Sequence, residues 1–245
     1  MIKIFCRIDN TDIPIVSTGT SPFIGAGQFG TNAYLWRKQF LNNPDAIIEI
    51  LESSYEKGSR GIEVIPSGRI LDAAEIMSEK YDDYVITGST YPGKDPRINS
   101  LIEIGAKLIF VHGMISDDRG KELISLLDEI SEYGIIPGIA THDPLTTISY
   151  CLENSLNVRV FLIPFNATGF LMGNQKELED LVDNTKKVYF IGMKTLAAGE
   201  IDPEYAFQYI SNHNIIAVTI GMVTKEQAVE STKIALKTYK GTLRK

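Results

Sequence analysis

Residues 108–144 read LIFVHGMISDDRGKELISLLDEISEYGIIPGIATHDP, and this stretch decides the fold. It begins with an apolar run over residues 108–112, continues with leucine and isoleucine at helical spacing over residues 119–133, and ends with a second apolar run over residues 136–141. Neither run alternates with polar residues as a half-exposed strand does, so we expect strands covered on both faces. The order strand, helix, strand is typical of a parallel sheet.

The same unit recurs along the whole chain. The apolar runs that we interpret as strands are residues 13–18, 62–65, 84–87, 108–112, 136–141, 160–164, 188–193 and 217–221. Eight strands that alternate with helices predict a single (β/α)8 TIM barrel over residues 1–245, with an open doubly wound sheet as the alternative. Residues 2–8 and the turn that follows them predict an N-terminal β-hairpin that plugs the bottom of the barrel.

A loose GxGxxG match at residues 25–30 lies well beyond the end of the first predicted strand. A phosphate-binding turn of this type follows its strand directly and opens a helix. We therefore interpret the segment as a loop over the barrel mouth. Tyr34 and Trp36 behind it are candidates for a lid over a ligand, and packing of the loop onto the barrel is the alternative.

The composition limits the classes of partner. The chain has a net charge of −7, with 22% charged and 44% hydrophobic residues, and it contains no dense run of basic residues. These values are typical of a globular domain and argue against binding to nucleic acid or to an anionic membrane surface. The two cysteines form no CxxC pair, and the first eight residues are too short and too charged for a signal peptide. We expect a cytoplasmic protein whose partner is a small molecule.

Five segments of the chain, taken together, resemble the aldo-keto reductases. They are residues 17–23, 61–65, 110–112, 193–199 and 220–227, and they occur in the order and at the spacing of that family's strands. The resemblance implies an aldo-keto-reductase-like barrel, an oxidoreductase activity on small molecules, and NADP or NAD bound at the seventh and eighth strands. The cofactor-binding residues that it implies are Thr141, Met193, Lys194, Thr224 and Lys225.

The same resemblance shows that most of the family's catalytic residues are replaced. Its Asp, Tyr and Lys positions hold Pro66, Leu71 and Gly88, and only the histidine is kept, as His112. Proline, leucine and glycine have no titratable group, so none of them can protonate a carbonyl oxygen. We therefore expect reduction of aldehydes and ketones by the family's usual mechanism to be absent or very slow.

Polar residues at the ends of the predicted strands are the remaining candidates, because barrel enzymes keep their sites there. His112 and His142 end neighbouring strands and are our candidate catalytic residues, as acid and base or as ligands of a divalent metal with Asp143 as the third ligand. Asp143 is also placed to cap the helix that begins beside it. Arg69 and Asn166 are our candidate substrate-binding residues, and Arg69 would suit an anionic ligand.

Lys194 has two interpretations at this stage. At the mouth it could form a Schiff base or bind a phosphate, whereas a solvated lysine or a structural ion pair is the commoner outcome. For Glu63, alternation along its strand predicts a side chain that faces away from the barrel axis and pairs with Arg60. His213 is expected in a loop on the opposite rim.

Three classes of function remain open from the sequence. The first is a divergent oxidoreductase that binds a nicotinamide nucleotide and uses His112. The second is a nucleotide-independent isomerase, lyase or hydrolase that uses His112 and His142. The third is a barrel that binds a metabolite without catalysis, and the fold does not choose among the three.

Overall fold

A computed structural model describes residues 4–238, so the ends of the predicted domain, residues 1–3 and 239–245, lie outside the described residues. Two short strands, β1 (Phe5–Ile8) and β2 (Thr11–Pro14), form an antiparallel hairpin, as predicted. The next strand, β3 (Val16–Gly19), begins only two residues after β2. The first predicted run, residues 13–18, therefore contains the end of a hairpin strand and the start of a barrel strand.

Eight parallel strands close into a barrel. They are β3 (Val16–Gly19), β4 (Gly61–Val64), β5 (Val85–Ser89), β6 (Leu108–Val111), β7 (Ile136–Ala140), β8 (Val160–Pro164), β9 (Tyr189–Met193) and β10 (Ala217–Gly221). Closure is shown by the pairing of β10 with both β9 and β3. The predicted (β/α)8 barrel with an N-terminal hairpin is confirmed, and the open sheet is excluded.

Helices connect the strands and cover the outside of the barrel. They are α1 (Asn32–Phe40), α2 (Pro44–Tyr55), α3 (Ile70–Lys80), α4 (Ile98–Glu103), α5 (Gly113–Ser116), α6 (Lys121–Glu132), α7 (Pro144–Glu153), α8 (Gln175–Asn184), α9 (Pro203–Ile210) and α10 (Lys225–Thr238). Local chemistry explains several starts: the side chains of Asn43 and Asp202 accept hydrogen bonds from the first turns of α2 and α9, and each precedes a proline. In α6 the leucines and the isoleucine at helical spacing form the buried face.

The hairpin closes the bottom of the barrel. Cys6, Ile8 and Ile13 are buried in the same apolar core as the barrel strands. Ile13 and Pro14 line a small internal space together with inward-facing residues of seven barrel strands. The hairpin thus acts as the plug that the sequence predicts, and the opposite end of the barrel is left as the open mouth.

The structure corrects one expectation that the strand alternation suggested. Glu63 faces the barrel interior, where it lines the internal space and is 5% exposed. Arg60 pairs instead with Asp83, with 2.7 Å between Nε and Oδ2. The pleat explains the difference: Ile62 and Val64 face the helices, and residues of opposite parity along a strand face opposite sides. Within residues 4–238, no helix is long and apolar enough to cross a membrane.

Candidate functional site

A cavity of about 480 Å³ opens at the carboxyl ends of β3, β4, β9 and β10, and we call it the mouth cavity. Its floor includes Glu63 and Thr219 from inside the barrel, and its walls come from residues after β9 and from the first turns of α10. The side chains that cover it are Gln28, Phe29, Asn32 and Trp36. Its volume falls in the range of about 300–1,000 Å³ that is usual for ligand pockets.

The cover of the mouth cavity is built on the glycine-rich segment. Phe29 packs edge-on against Trp36, with ring centroids 4.9 Å apart, and Arg37 donates to the carbonyl of Ile24 at 2.9 Å. The segment forms a loop and a turn of 3-10 helix over the mouth, in agreement with our interpretation of residues 25–30. Trp36 lines the cavity, whereas Tyr34 is 72% exposed.

Lys194 stands directly after β9 and lines the mouth cavity. Its backbone is left-handed, with φ of 56°, and three further residues of this loop, at positions 197–199, also have positive φ. Left-handed backbone at residues other than glycine is strained, and such strain concentrates at functional sites. The Nζ atom lies 3.9 Å from the Met193 sulfur, and burial lowers the pKa of Lys194 to about 8.

Glu63 shares the mouth cavity with Lys194. Ser89 donates a hydrogen bond of 2.6 Å to Oε1 of Glu63. Burial raises the pKa of Glu63, while the Ser89 hydrogen bond and the Lys194 charge lower it. The Glu63 charge in turn raises the pKa of Lys194 against the larger effect of burial. The two groups therefore influence each other's protonation across a site with little access to water.

Two threonine hydroxyls complete the inner part of the cavity. Thr195 is 2% exposed and Thr219 is 6% exposed, and the hydroxyl oxygen of each lacks a hydrogen-bond partner within residues 4–238. Gly19 adjoins Thr219: a Cβ atom at Gly19 would stand 2.8 Å from the Thr219 hydroxyl oxygen. Buried polar groups are usually hydrogen-bonded, so both hydroxyls indicate a partner that comes from a ligand or from water.

The two candidate catalytic histidines come together on the other side of the mouth. The rings of His112 and His142 have centroids 5.5 Å apart. Nδ1 of His112 accepts a hydrogen bond from the backbone of Met114, which assigns the proton of a neutral ring to the other nitrogen. Burial first, and then the charges of His142 and Lys194, lower the pKa of His112 to about 4. The charge of Lys194 also lowers the pKa of His142, so Lys194 and both histidines interact electrostatically at the same end of the barrel.

Asp117 organises this histidine side. Its carboxylate accepts hydrogen bonds from the hydroxyls of Thr141 and Thr147 and from the backbone N–H of His142. His142 Nδ1 is 3.9 Å from the same carboxylate. Among the described residues, no group of three or more histidine, cysteine or carboxylate side chains is arranged to hold a metal ion.

Only part of the predicted cofactor set meets at the mouth cavity. Met193 and Lys194 line it. Thr141 is engaged with Asp117, the Thr224 hydroxyl accepts from the backbone of Gln227 at the start of α10, and Lys225 forms an ion pair with Glu49. Gln227, Glu230 and Ser231, from the first turns of α10, also line the cavity.

The predicted substrate-binding residues have partners of their own. Arg69 forms an ion pair with Asp72, and Asn166 is buried and holds the loop after β8 through bonds to Thr168 and Phe170. Asp143 occupies the N-cap position of α7, as predicted, but its side chain contacts Thr146 and Arg119 instead of the helix backbone. His213 lies before β10, on the opposite rim as expected, and pairs with Asp183.

Comparison with solved structures gives the fold a name. An aldo-keto reductase from Pseudomonas aeruginosa, described as putative, superimposes with a TM-score of 0.69 at 12% identity, over 97% of this chain and 96% of that one. The barrel has the aldo-keto reductase fold. An aldo-keto reductase from a Medee basin deep-sea metagenome gives 0.65 at 13%, over 96% of this chain and 93% of that one. The resemblance seen in the sequence is thereby confirmed at the level of the fold.

A second kind of barrel is also similar. The 2-keto-3-deoxy-6-phospho-gluconate aldolase from Zymomonas mobilis superimposes with a TM-score of 0.56 at 20% identity, over 81% of this chain and 89% of that one. No protein-family model matches the sequence. No curated protein matches it either. Likeness at such identities shows the fold alone, so the function must be argued from the site.

Sequence reasoning missed Glu63, Thr195 and Thr219 as site residues. Glu63 and Thr219 lie inside apolar strands, and an ionisable or hydroxyl side chain in such a run was the signal that could have found them. Thr195 sits in a loop, where nothing in the sequence distinguishes it from other polar loop residues.

Proposed function

We propose that this chain is an enzyme that acts on a small, uncharged carbonyl or hydroxyl compound bound in the mouth cavity. The observation that carries the proposal is that the Lys194 amine and the Glu63 carboxyl group meet in one cavity with the hydroxyls of Thr195 and Thr219, which have no hydrogen-bond partner within residues 4–238. A pocket with a few convergent polar groups and perturbed pKa values is the usual form of an active site.

The charges of the cavity favour an uncharged ligand. Among the described residues, the lining contains one lysine, Lys194, and three acidic side chains, Glu63, Glu200 and Glu230. A phosphorylated or carboxylated compound would meet more negative than positive charge there, because Arg69 and Lys225 are paired elsewhere. A polyhydroxy aldehyde or ketone fits this lining better, since its oxygens can bind the amine and the two hydroxyls.

An NAD-linked oxidoreductase is a second candidate. It is favoured by the path of the cavity, which follows the ends of β9 and β10 to the first turns of α10, where the aldo-keto reductase resemblance implies a nicotinamide nucleotide. A bound nucleotide would supply hydride transfer. Within residues 4–238, Lys194 is the only cation in the lining that could bind the additional phosphate of NADP, so NAD fits the cavity better than NADP.

The experiment uses Trp36, which is the single tryptophan of the chain and covers the cavity. Its fluorescence is titrated with dihydroxyacetone, dihydroxyacetone phosphate, NADH and NADPH. The proposal expects a saturable change with dihydroxyacetone, and binding of its phosphate that is weaker by about tenfold or more, which corresponds to about 1.4 kcal/mol. A response to NADH that exceeds the response to NADPH would support the second candidate.

A matched pair of variants locates the binding. Thr219→Val removes a hydroxyl from the cavity and keeps the side-chain shape, whereas Thr147→Val makes the same change on the histidine side. We expect only Thr219→Val to weaken the response to dihydroxyacetone. A wild-type protein whose Trp36 emission is unchanged by all four compounds would show that the mouth cavity is not the ligand site.

A further inference from the structure

The amine of Lys194 differs from the other lysines whose pKa is perturbed. Lys80, Lys176 and Lys225 are exposed and paired with carboxylates, and these partners raise their pKa values. Lys194 is largely buried, and it forms no ion pair of 4.0 Å or less with a carboxylate within residues 4–238. Burial without a tight partner favours the neutral amine, which is the nucleophilic form of lysine.

The surroundings of Lys194 supply what a nucleophilic amine requires. The mouth cavity gives a ligand access to the amine, and the left-handed backbone at residue 194 holds the side chain in a strained segment at the barrel mouth. Glu63 is buried in the same cavity, and its raised pKa favours a carboxylic acid that can donate a proton. Ser89 fixes the position of that carboxyl group.

We propose that Lys194 is a carbonyl-binding nucleophile that forms an imine with an aldehyde or ketone in the mouth cavity, with Glu63 as the proton donor. This inference rests on the site assigned under the proposed function and requires no nucleotide. The neutral amine attacks the carbonyl carbon and forms a C–N bond while the π bond of the carbonyl breaks, and a proton then passes from the nitrogen to the oxygen, which gives a carbinolamine. Its hydroxyl group takes a proton from Glu63 and leaves as water, so that a protonated imine and the Glu63 carboxylate remain.

The pair of charges produced in this step suits the site. A protonated imine at Lys194 and a carboxylate at Glu63 carry opposite charges in one cavity and attract each other. An imine draws electrons from the neighbouring carbon, and the Glu63 carboxylate is then a base that can take a proton from that carbon. The reaction class is therefore proton transfer or carbon–carbon bond cleavage next to a carbonyl group, which falls within the isomerase and lyase alternatives.

The test uses 2,4-pentanedione, an uncharged diketone that condenses with a neutral amine, releases water and gives a conjugated enaminone that absorbs in the near ultraviolet. The whole chain is treated with the probe, and the modified lysine is identified by peptide mass spectrometry. We expect Lys194 to react first, with a rate that rises with pH around its pKa of about 8. Lys194→Met should abolish the fast phase, and Lys176→Met, which changes an exposed lysine paired with Asp180, is the matched control and should keep it.

Glu63→Gln tests the proton donor. Loss of the carboxyl group should slow adduct formation at Lys194 by about 100-fold or more, the lower end of what a general acid contributes. It should also move the pH midpoint down, because the Glu63 charge raises the pKa of Lys194. An unchanged rate in this variant would overturn the role of Glu63, and the wild type alone decides whether Lys194 reacts.

A second probe tests whether Lys194 also forms an imine with a ketone that is not a diketone. Dihydroxyacetone with cyanoborohydride should convert Lys194 to a stable secondary amine, because the imine is reduced where it forms. Labelling spread evenly over surface lysines, or an unmodified Lys194 with both probes, would overturn the proposal. If Trp36 still responds to dihydroxyacetone in that case, the binding site stands and only imine formation fails; if Trp36 is silent as well, both proposals fail.

Discussion

The two sides of the barrel mouth use polar residues in opposite ways. On the histidine side, Asp117 receives hydrogen bonds from two threonines and one backbone N–H, and His112 caps a helix. On the lysine side, within residues 4–238, the hydroxyls of Thr195 and Thr219 lack hydrogen-bond partners and Lys194 lacks a carboxylate within 4.0 Å. A satisfied network stabilises the fold, whereas unsatisfied buried groups cost stability and are kept where a ligand supplies the missing partner.

This contrast changes the interpretation of the histidine pair. Sequence position made His112 and His142 the centre of the site, and the structure does bring their rings together. The enclosed volume, however, lies on the side of Lys194 and Glu63. The catalytic role of the histidines therefore stays a prediction, and the stability of variants on the two sides separates structural from functional residues.

Asp117→Ala should produce the largest loss of stability. Three hydrogen-bond donors lose their acceptor at once, and we expect the free energy of unfolding to fall by about 3 kcal/mol. Urea denaturation measures the change. Asp118→Ala, which alters the exposed neighbouring residue, is the control. Equal effects of the two substitutions would contradict the network that we place around Asp117.

Lys194→Met should have the opposite sign. Burial lowers the pKa of Lys194 to about 8. The charged amine therefore destabilises the folded protein at every pH below the pKa that lysine has in the unfolded chain. Methionine removes the buried charge and keeps the chain length, and we expect a gain of about 2 kcal/mol at pH 7. A higher free energy of unfolding in the variant would show that the protein keeps Lys194 for function at a cost in stability. A lower one would show that Lys194 is a structural residue.

The pH dependence of stability tests the histidine side more finely. The pKa of His112 is about 4 in the folded protein and about 6.5 in the unfolded chain, so unfolding takes up a proton between these values. The stabilisation is therefore complete above pH 6.5 and is lost as the pH falls towards 4. We expect His112→Asn to flatten the fall in unfolding free energy over this window by about 1–2 kcal/mol, because Asn does not titrate there.

For that last experiment His213→Asn is the matched control, since His213 lies on the opposite rim, where it pairs with Asp183. Both variants are compared with the wild type at several pH values by urea denaturation. A slope that is unchanged in His112→Asn would show that this ring stays accessible to water in the folded protein.

Much of the architecture could be predicted from the sequence. Runs such as residues 160–164 are apolar throughout because both faces of a barrel strand are covered, and the observed strand β8 has the same bounds. Helix starts at Pro44 and Pro203 follow from local capping chemistry, which acts over a few residues. The position of the glycine-rich segment over the mouth also follows from a local property of the sequence, because residues 25–30 lie well beyond the end of the first predicted strand.

The face of β4 on which the Glu63 side chain lies could not be predicted from the neighbouring residues. A shift of one residue in the pleat moves every side chain to the other face, and Gly61 to Val64 are all buried, so the strand offers no polar face to set the phase. Only the register of β4 with β5, which pairs Glu63 with Thr87, places the carboxyl group inside.

The sequence by itself determined the eight strands, the barrel and the polar character of its mouth, because hydrophobic periodicity and capping are local properties of the chain. Only the tertiary structure decided which part of that mouth is a cavity. Pairing of β10 with β3 brings residues 19–36 next to residues 219–231, and the interior then joins Glu63 to Lys194. These segments are far apart in sequence and meet because the barrel closes. Which residues then face each other depends on the register between distant strands, which no local pattern encodes.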